Sequence, residues 1–155
     1  MRSLLIFCML CASVSAQAQA GCILEMNGRW ALNPEKSLDP EELKYEILVF
    51  TNTEIEQRYA MEFSNGPDDN GTLEWSAPCD GMDHPSPDFP WSIAENSTVA
   101  ISRLGEKSEF VVQREDGVLT TTYTRVLADN DQTMISVGRN AAGKIIWVRV
   151  FDRED

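Results

Sequence analysis

Cys79, Asp80, Asp83, His84 and Asp88 fall within PCDGMDHPSPDFPW, residues 78–91, and are the side chains of this sequence best suited to chemistry. A thiol, an imidazole and a carboxylate are the parts of a nucleophile, its base and the group that orients the base. His84 is the only histidine, so any such system passes through it, and a histidine-based metal cluster is excluded. The aspartates are hard oxygen ligands of the kind calcium takes, as are Asp68, Asp69 and Asn70 beside Gly71, but neither spacing is that of an EF-hand loop. Asp-Gly and Asn-Gly are equally the commonest turn formers. There is no Gly-x-Ser-x-Gly elbow, phosphate-binding loop or dinucleotide fingerprint. The sequence therefore assigns no catalytic residue, no metal and no cofactor. Pro78, Pro85, Pro87 and Pro90 fix the backbone and make the stretch a stiff connection, with Trp91 opening the next core segment and a lid over a barrel mouth as its other use.

Compartment narrows the uses of Cys79. Met1-Arg2, the apolar run from Leu4 to Leu10 and the small residues of CASVSAQAQA have the layout of a signal peptide over residues 1–20, too short to span a bilayer. Residues 21–155 then form one domain of a protein that is exported, to a periplasm or outside the cell. Cys8 and Cys11 leave with the leader, and the two thiols that remain, Cys22 and Cys79, are expected to form one disulfide. Lipidation of Cys22 is the weaker alternative, because the aliphatic residue three positions earlier is missing and the hydrophobic run lies far upstream. A formal charge of −12 makes nucleic acid and anionic membranes poor partners. No later stretch is apolar enough to insert into a membrane, and nothing sets the oligomeric state.

The elements that must carry these side chains read as strands. Ile55, Gln57, Tyr59, Met61 and Phe63 alternate with Glu54, Glu56, Arg58, Ala60 and Glu62, as a strand with one buried and one wet face does. Similar short runs recur from Tyr45 to Phe151, separated by turn residues such as Asp116-Gly117, and none has a sustained helical period. That pattern predicts an all-β antiparallel barrel or sandwich. One helical turn is expected over 37–43, capped by Asp39 with Pro40 at its first position.

GRWALNPEKS at 28–37, CDGMDHP at 79–85 and the closing VRVFDRE resemble the small exported, lipocalin-like bacterial proteins, which open on a Gly-x-Trp-x-x-Asn-x-x-Lys-Ser type of motif. The resemblance implies a lipocalin-like barrel of seven to nine strands rather than an activity, and offers no catalytic residue. In such barrels a tryptophan plugs one end beneath an arginine of the last strand. Here that implies Trp30 with Arg149 or Arg153, and Arg149 is assigned to the plug. The expected interior is lined by Tyr59, Met61, Phe63, Leu73, Trp75 and Trp147, with Gln57 and threonines of the 120–124 run as its sparse polar groups. Two functions fit this interior. One is binding of a small lipophilic ligand in the barrel. The other is a filled core whose function lies in acidic loops, as a structural or interaction module. An enzyme ranks third.

Overall fold

Alternation along the chain becomes a single antiparallel sheet. A computed structural model describes residues 21–38, 45–66, 69–86, 96–128 and 130–154. Its strands are β1 (Gly28–Leu32), β2 (Tyr45–Phe50), β3 (Glu56–Gly66), β4 (Asp69–Pro78), β5 (His84–Pro85), β6 (Ser97–Arg103), β7 (Ser108–Glu115), β8 (Val118–Leu127), β9 (Thr133–Asn140) and β10 (Ile145–Glu154). They are ordered β4-β3-β2-β1-β10-β9-β8-β7-β6-β5, so every pair but β1 with β10 is sequential, and the sheet curls into a nearly closed barrel. The strand count is ten, above the seven to nine expected. The additional strand, β5, is two residues of the proline-rich stretch, and its composition hides it. Apart from a 3-10 turn at Leu24–Met26 there is no helix among the described residues, and none long and apolar enough to cross a membrane. Residues 39–44, which carry most of the expected helical turn, lie outside the described ones.

The stretch that contains Cys79 and His84 closes the seam of the barrel. Beyond β4, Cys79 is bonded to Cys22, the Gly81 amide donates to Ile101 O at 2.8 Å, and His84 pairs with Val99 of β6. Its first half is therefore wall rather than lid, and Pro87 to Trp91 lie outside the described residues.

The opening motif is a clip onto the last strand. Asn33 and Lys36 both donate to the Asp152 carboxylate, and the Asn33 amide followed by the Lys36 ammonium holds it below its ordinary pKa. Ser37 Oγ donates to Asn33 O at 2.7 Å and accepts from Val150 N at 2.9 Å. Trp30 is fully buried and donates its indole N–H to Met26 O at 2.8 Å. The arginine above it is Arg153, 4.3 Å from the ring centroid, and not Arg149. Both point inwards from β10, but the register places Arg153 opposite Trp30, while Arg149 pairs with Ser136. Arg153 also donates to the carbonyls of Asn27, Glu25 and Asp131, which ties the end of β10 to two other segments over the plug. Gly28 has φ +127°, and a Cβ there would stand 3.1 Å from Arg153 Nη1, so glycine lets the arginine in.

Candidate functional site

Inside the barrel, the ladder aligns one polar rung. Arg149 of β10 faces Ser136 of β9, Ser136 faces Arg125 of β8, and Arg125 faces Glu109 of β7. Arg125 Nη1 donates to Glu109 Oε1 at 2.6 Å and to Gln57 Oε1 at 3.1 Å, and Nη2 donates to the Tyr123 hydroxyl at 3.3 Å. Gln57, reaching across from β3, donates its own amide to Glu109 Oε2 at 2.8 Å. The guanidinium is enclosed by the rings of Phe50, Tyr59 and Tyr123, each about 5 Å away. Desolvation pulls its pKa down, but the neighbouring Tyr123 and Glu109 oxygens outweigh it and hold Arg125 above its ordinary value. Burial pushes the Tyr59 and Tyr123 hydroxyls up, so both are neutral phenols. A second pair extends the rung, with Arg149 Nη1 3.0 Å from Glu46 Oε2 and its guanidinium 5.0 Å from the Trp147 ring centroid. One buried and one partly buried cation thus face two buried anions, and the two pairs balance in charge.

Beside this network lies a cavity of about 80 Å³. Its walls include Tyr59, Met61, Trp75, Tyr123 and Trp147, with Glu46, Arg125 and Arg149 contributing polar edges. Trp147 and Gln113, also on its wall, lie nearer than the Arg125 rung to the end opposite the Trp30 plug, where β7–β8 and β9–β10 turn. The half-buried Trp147 marks the approach from that side. A larger concavity, about 490 Å³, is an open surface groove beside the exposed Arg58 and Glu74, and it encloses nothing.

Of the six residues expected to line the interior, Tyr59, Met61, Trp75 and Trp147 stand on the cavity wall. Leu73 is buried in the core away from it, and Phe63 is partly buried where it covers Gly71, whose added Cβ would lie 2.4 Å from the ring. Gln57 is fully buried as expected for an inward residue, but its partners are Glu109 and Arg125 rather than threonines. In the 120–127 run the inward residues are Tyr123, Arg125 and Leu127. Glu46, Glu109 and Arg125 were not singled out by sequence. The phase of β8 held a signal, since Arg125 falls between the inward Tyr123 and Leu127. In β7 the same phase puts Glu109 inside and the more apolar Phe110 outside, which hydropathy alone inverts.

The residues first suited to chemistry do something else. Cys79 is spent in the disulfide, His84 Nε2 stands 3.0 Å from Asp80 Oδ1, and Asp83 pairs with Arg114. The Met82 amide and then His84 hold the Asp80 carboxyl below its ordinary pKa. Among the described residues no three His, Cys, Asp or Glu side chains converge on a common point.

Gly138 sets the shape of the cavity wall. It faces Trp147 across the β9–β10 ladder, and a Cβ on it would fall 2.1 Å from the indole. Gly138→Ala is expected to displace Trp147, lowering stability by about 1–3 kcal/mol as overpacking does. A red-shifted tryptophan emission alongside the lower unfolding midpoint checks it, and an unchanged spectrum counts against this packing.

The nearly closed antiparallel barrel is lipocalin-like in fold. The crystal structure of the fluorescent protein UnaG has this fold. It superposes with a TM-score of 0.59 at 18% identity, covering 86% of this chain and 100% of that one. At that identity the likeness is one of fold. No protein-family model matches the chain, and no curated protein does.

Proposed function

We propose that the protein is an exported binding module which takes the head of a small lipophilic molecule into the barrel from the end opposite the Trp30 plug. The observation that carries this reading is the cavity itself. Five aromatic side chains line a space that the core does not fill, beside a buried hydrogen-bond network, and apolar walls with a small number of placed polar groups are the composition of small-ligand sites. At about 80 Å³ it is well below the roughly 300–1,000 Å³ of a site that encloses a drug-sized molecule, so only a head group enters and the remainder passes Trp147. Export is supported by the leader-like residues 1–20 and by the disulfide between Cys22 and Cys79.

The same small volume favours the second reading, a filled core whose work is done outside by the acidic surface. Native mass spectrometry of protein purified from its exported fraction separates the two. A retained mass that organic solvent extracts is the expected result. A bare chain mass, with tryptophan emission indifferent to added methyl butyl ketone, would leave the filled core as the reading to keep.

A further inference from the structure

Among the described residues, one buried side-chain donor has no hydrogen-bond partner. Trp75 is 8% exposed, stands on the cavity wall, and its indole Nε1–H has no hydrogen-bond partner. It is held in place by its cross-strand neighbour Tyr59, at 5.4 Å between ring centroids. A buried polar group without a partner is costly, and native interiors keep few of them. The other strong polar groups here are engaged. Both Glu109 oxygens accept, from Arg125 and Gln57, and Arg125 is covered on its faces by aromatic rings. Arg149 is opposite Glu46 and stacked on Trp147.

Each charge class of ligand meets this arrangement differently. An anion would have to draw a guanidinium away from its carboxylate and leave that carboxylate buried without its counter-charge, which is strongly unfavourable. A cation would have to do the converse to Glu109 or Glu46. An indole N–H donates only, so what it lacks is an acceptor. Resting on the reading of the barrel as a binding module, we infer that its ligand is an uncharged lipophile whose carbonyl oxygen accepts from Trp75 Nε1. A carbonyl with short flanks is within the cavity's size, and its hydrocarbon covers Tyr59, Met61 and Trp147. The electrically balanced interior acts as the filter against fatty acids and amines of the same length.

The test compares four probes of matched length, methyl butyl ketone, hexane, hexanoate and hexylammonium, by calorimetry on the oxidised protein. The ketone is expected to bind about tenfold more tightly than the other three, the factor that one net hydrogen bond of about 1.4 kcal/mol supplies. The Trp75 indole N–H resonance moves downfield as it binds. Trp75→Phe keeps an aromatic wall but no donor, so it loses the tenfold preference and binds hexane as before. Hexanoate or hexylammonium binding best, or a ketone affinity that Trp75→Phe leaves unchanged, overturns the assignment while the barrel remains a binding module. An unshifted indole resonance in the wild type overturns it even if the variant does not fold. Silence from all four probes together with a bare native mass removes the binding module and this inference with it.

Discussion

Replacing Glu109 by alanine is expected to lower the free energy of unfolding by about 3–5 kcal/mol, because it strands a buried guanidinium. Glu109 is 1% exposed and accepts from Arg125 at 2.6 Å and from Gln57 at 2.8 Å. Its removal leaves the cation without its counter-charge and the Gln57 amide without its acceptor, in a place enclosed by three aromatic rings. Urea unfolding of the single variant measures the loss. The double variant Glu109→Leu with Arg125→Met is the control, since replacing a buried pair by apolar side chains of similar volume is often neutral or stabilising. It is expected to recover most of the stability, and the coupling between the two sites follows from the cycle. A loss below about 1 kcal/mol for Glu109→Ala would be the value of a surface ion pair, and would mean that solvent reaches the rung.

That contrast bears on why the rung exists. If an apolar substitute folds as well, the network is not there for stability. Its arginine and glutamates then matter as the boundary of the cavity, setting a polar floor and consuming their own charge so that a ligand meets no net field. The variant that recovers stability is accordingly expected to keep a barrel and lose discrimination among charged probes, which links the energetics of the core to the selectivity of the site.

The strands were legible because one face of this sheet is wet. Around Tyr59 the alternation held for Gln57, Tyr59 and Met61, which point inward on β3, but it failed at Ile55, which precedes the strand and is 76% exposed. Asp116-Gly117, with φ of +50° and +77°, is the tight turn that its composition suggested. The disulfide followed from two thiols and an oxidising destination. What stayed hidden depends on register, which no local pattern carries. Choosing Arg153 over Arg149 for the plug requires knowing that β1 pairs with the last residues of β10. Reading Glu46 and Glu109 as inward requires trusting strand phase against their charge, and their counter-ions come from distant strands. The unsatisfied Trp75 donor is further still from the sequence, since a missing partner is a property of the whole interior.

The second large effect belongs to the closed end. Cys22→Ala with Cys79→Ala is expected to lower stability by about 4 kcal/mol, the loop-closure entropy of the unfolded chain in the entropic account. The bond joins residues 57 apart, and both cysteines are buried, at 4% and 3% exposure. It fixes the segment that carries Ile23, fully buried in the core, and Met26, whose carbonyl accepts from Trp30. Three backbone bonds remain nearby, Gly21 N to Cys79 O, Cys22 N to Glu54 O and Cys79 N to Ile55 O, so the end loosens without losing its register. Unfolding in urea should therefore stay cooperative, with an earlier midpoint and a steeper denaturant dependence, because an unfolded chain freed of that loop exposes more surface. The unreduced wild type should show no reactive thiol before or after unfolding. Two titratable sulfhydryls under those conditions, or a double variant as stable as the parent, would separate the closed end from this bond and leave Arg153 and Trp30 to hold it alone.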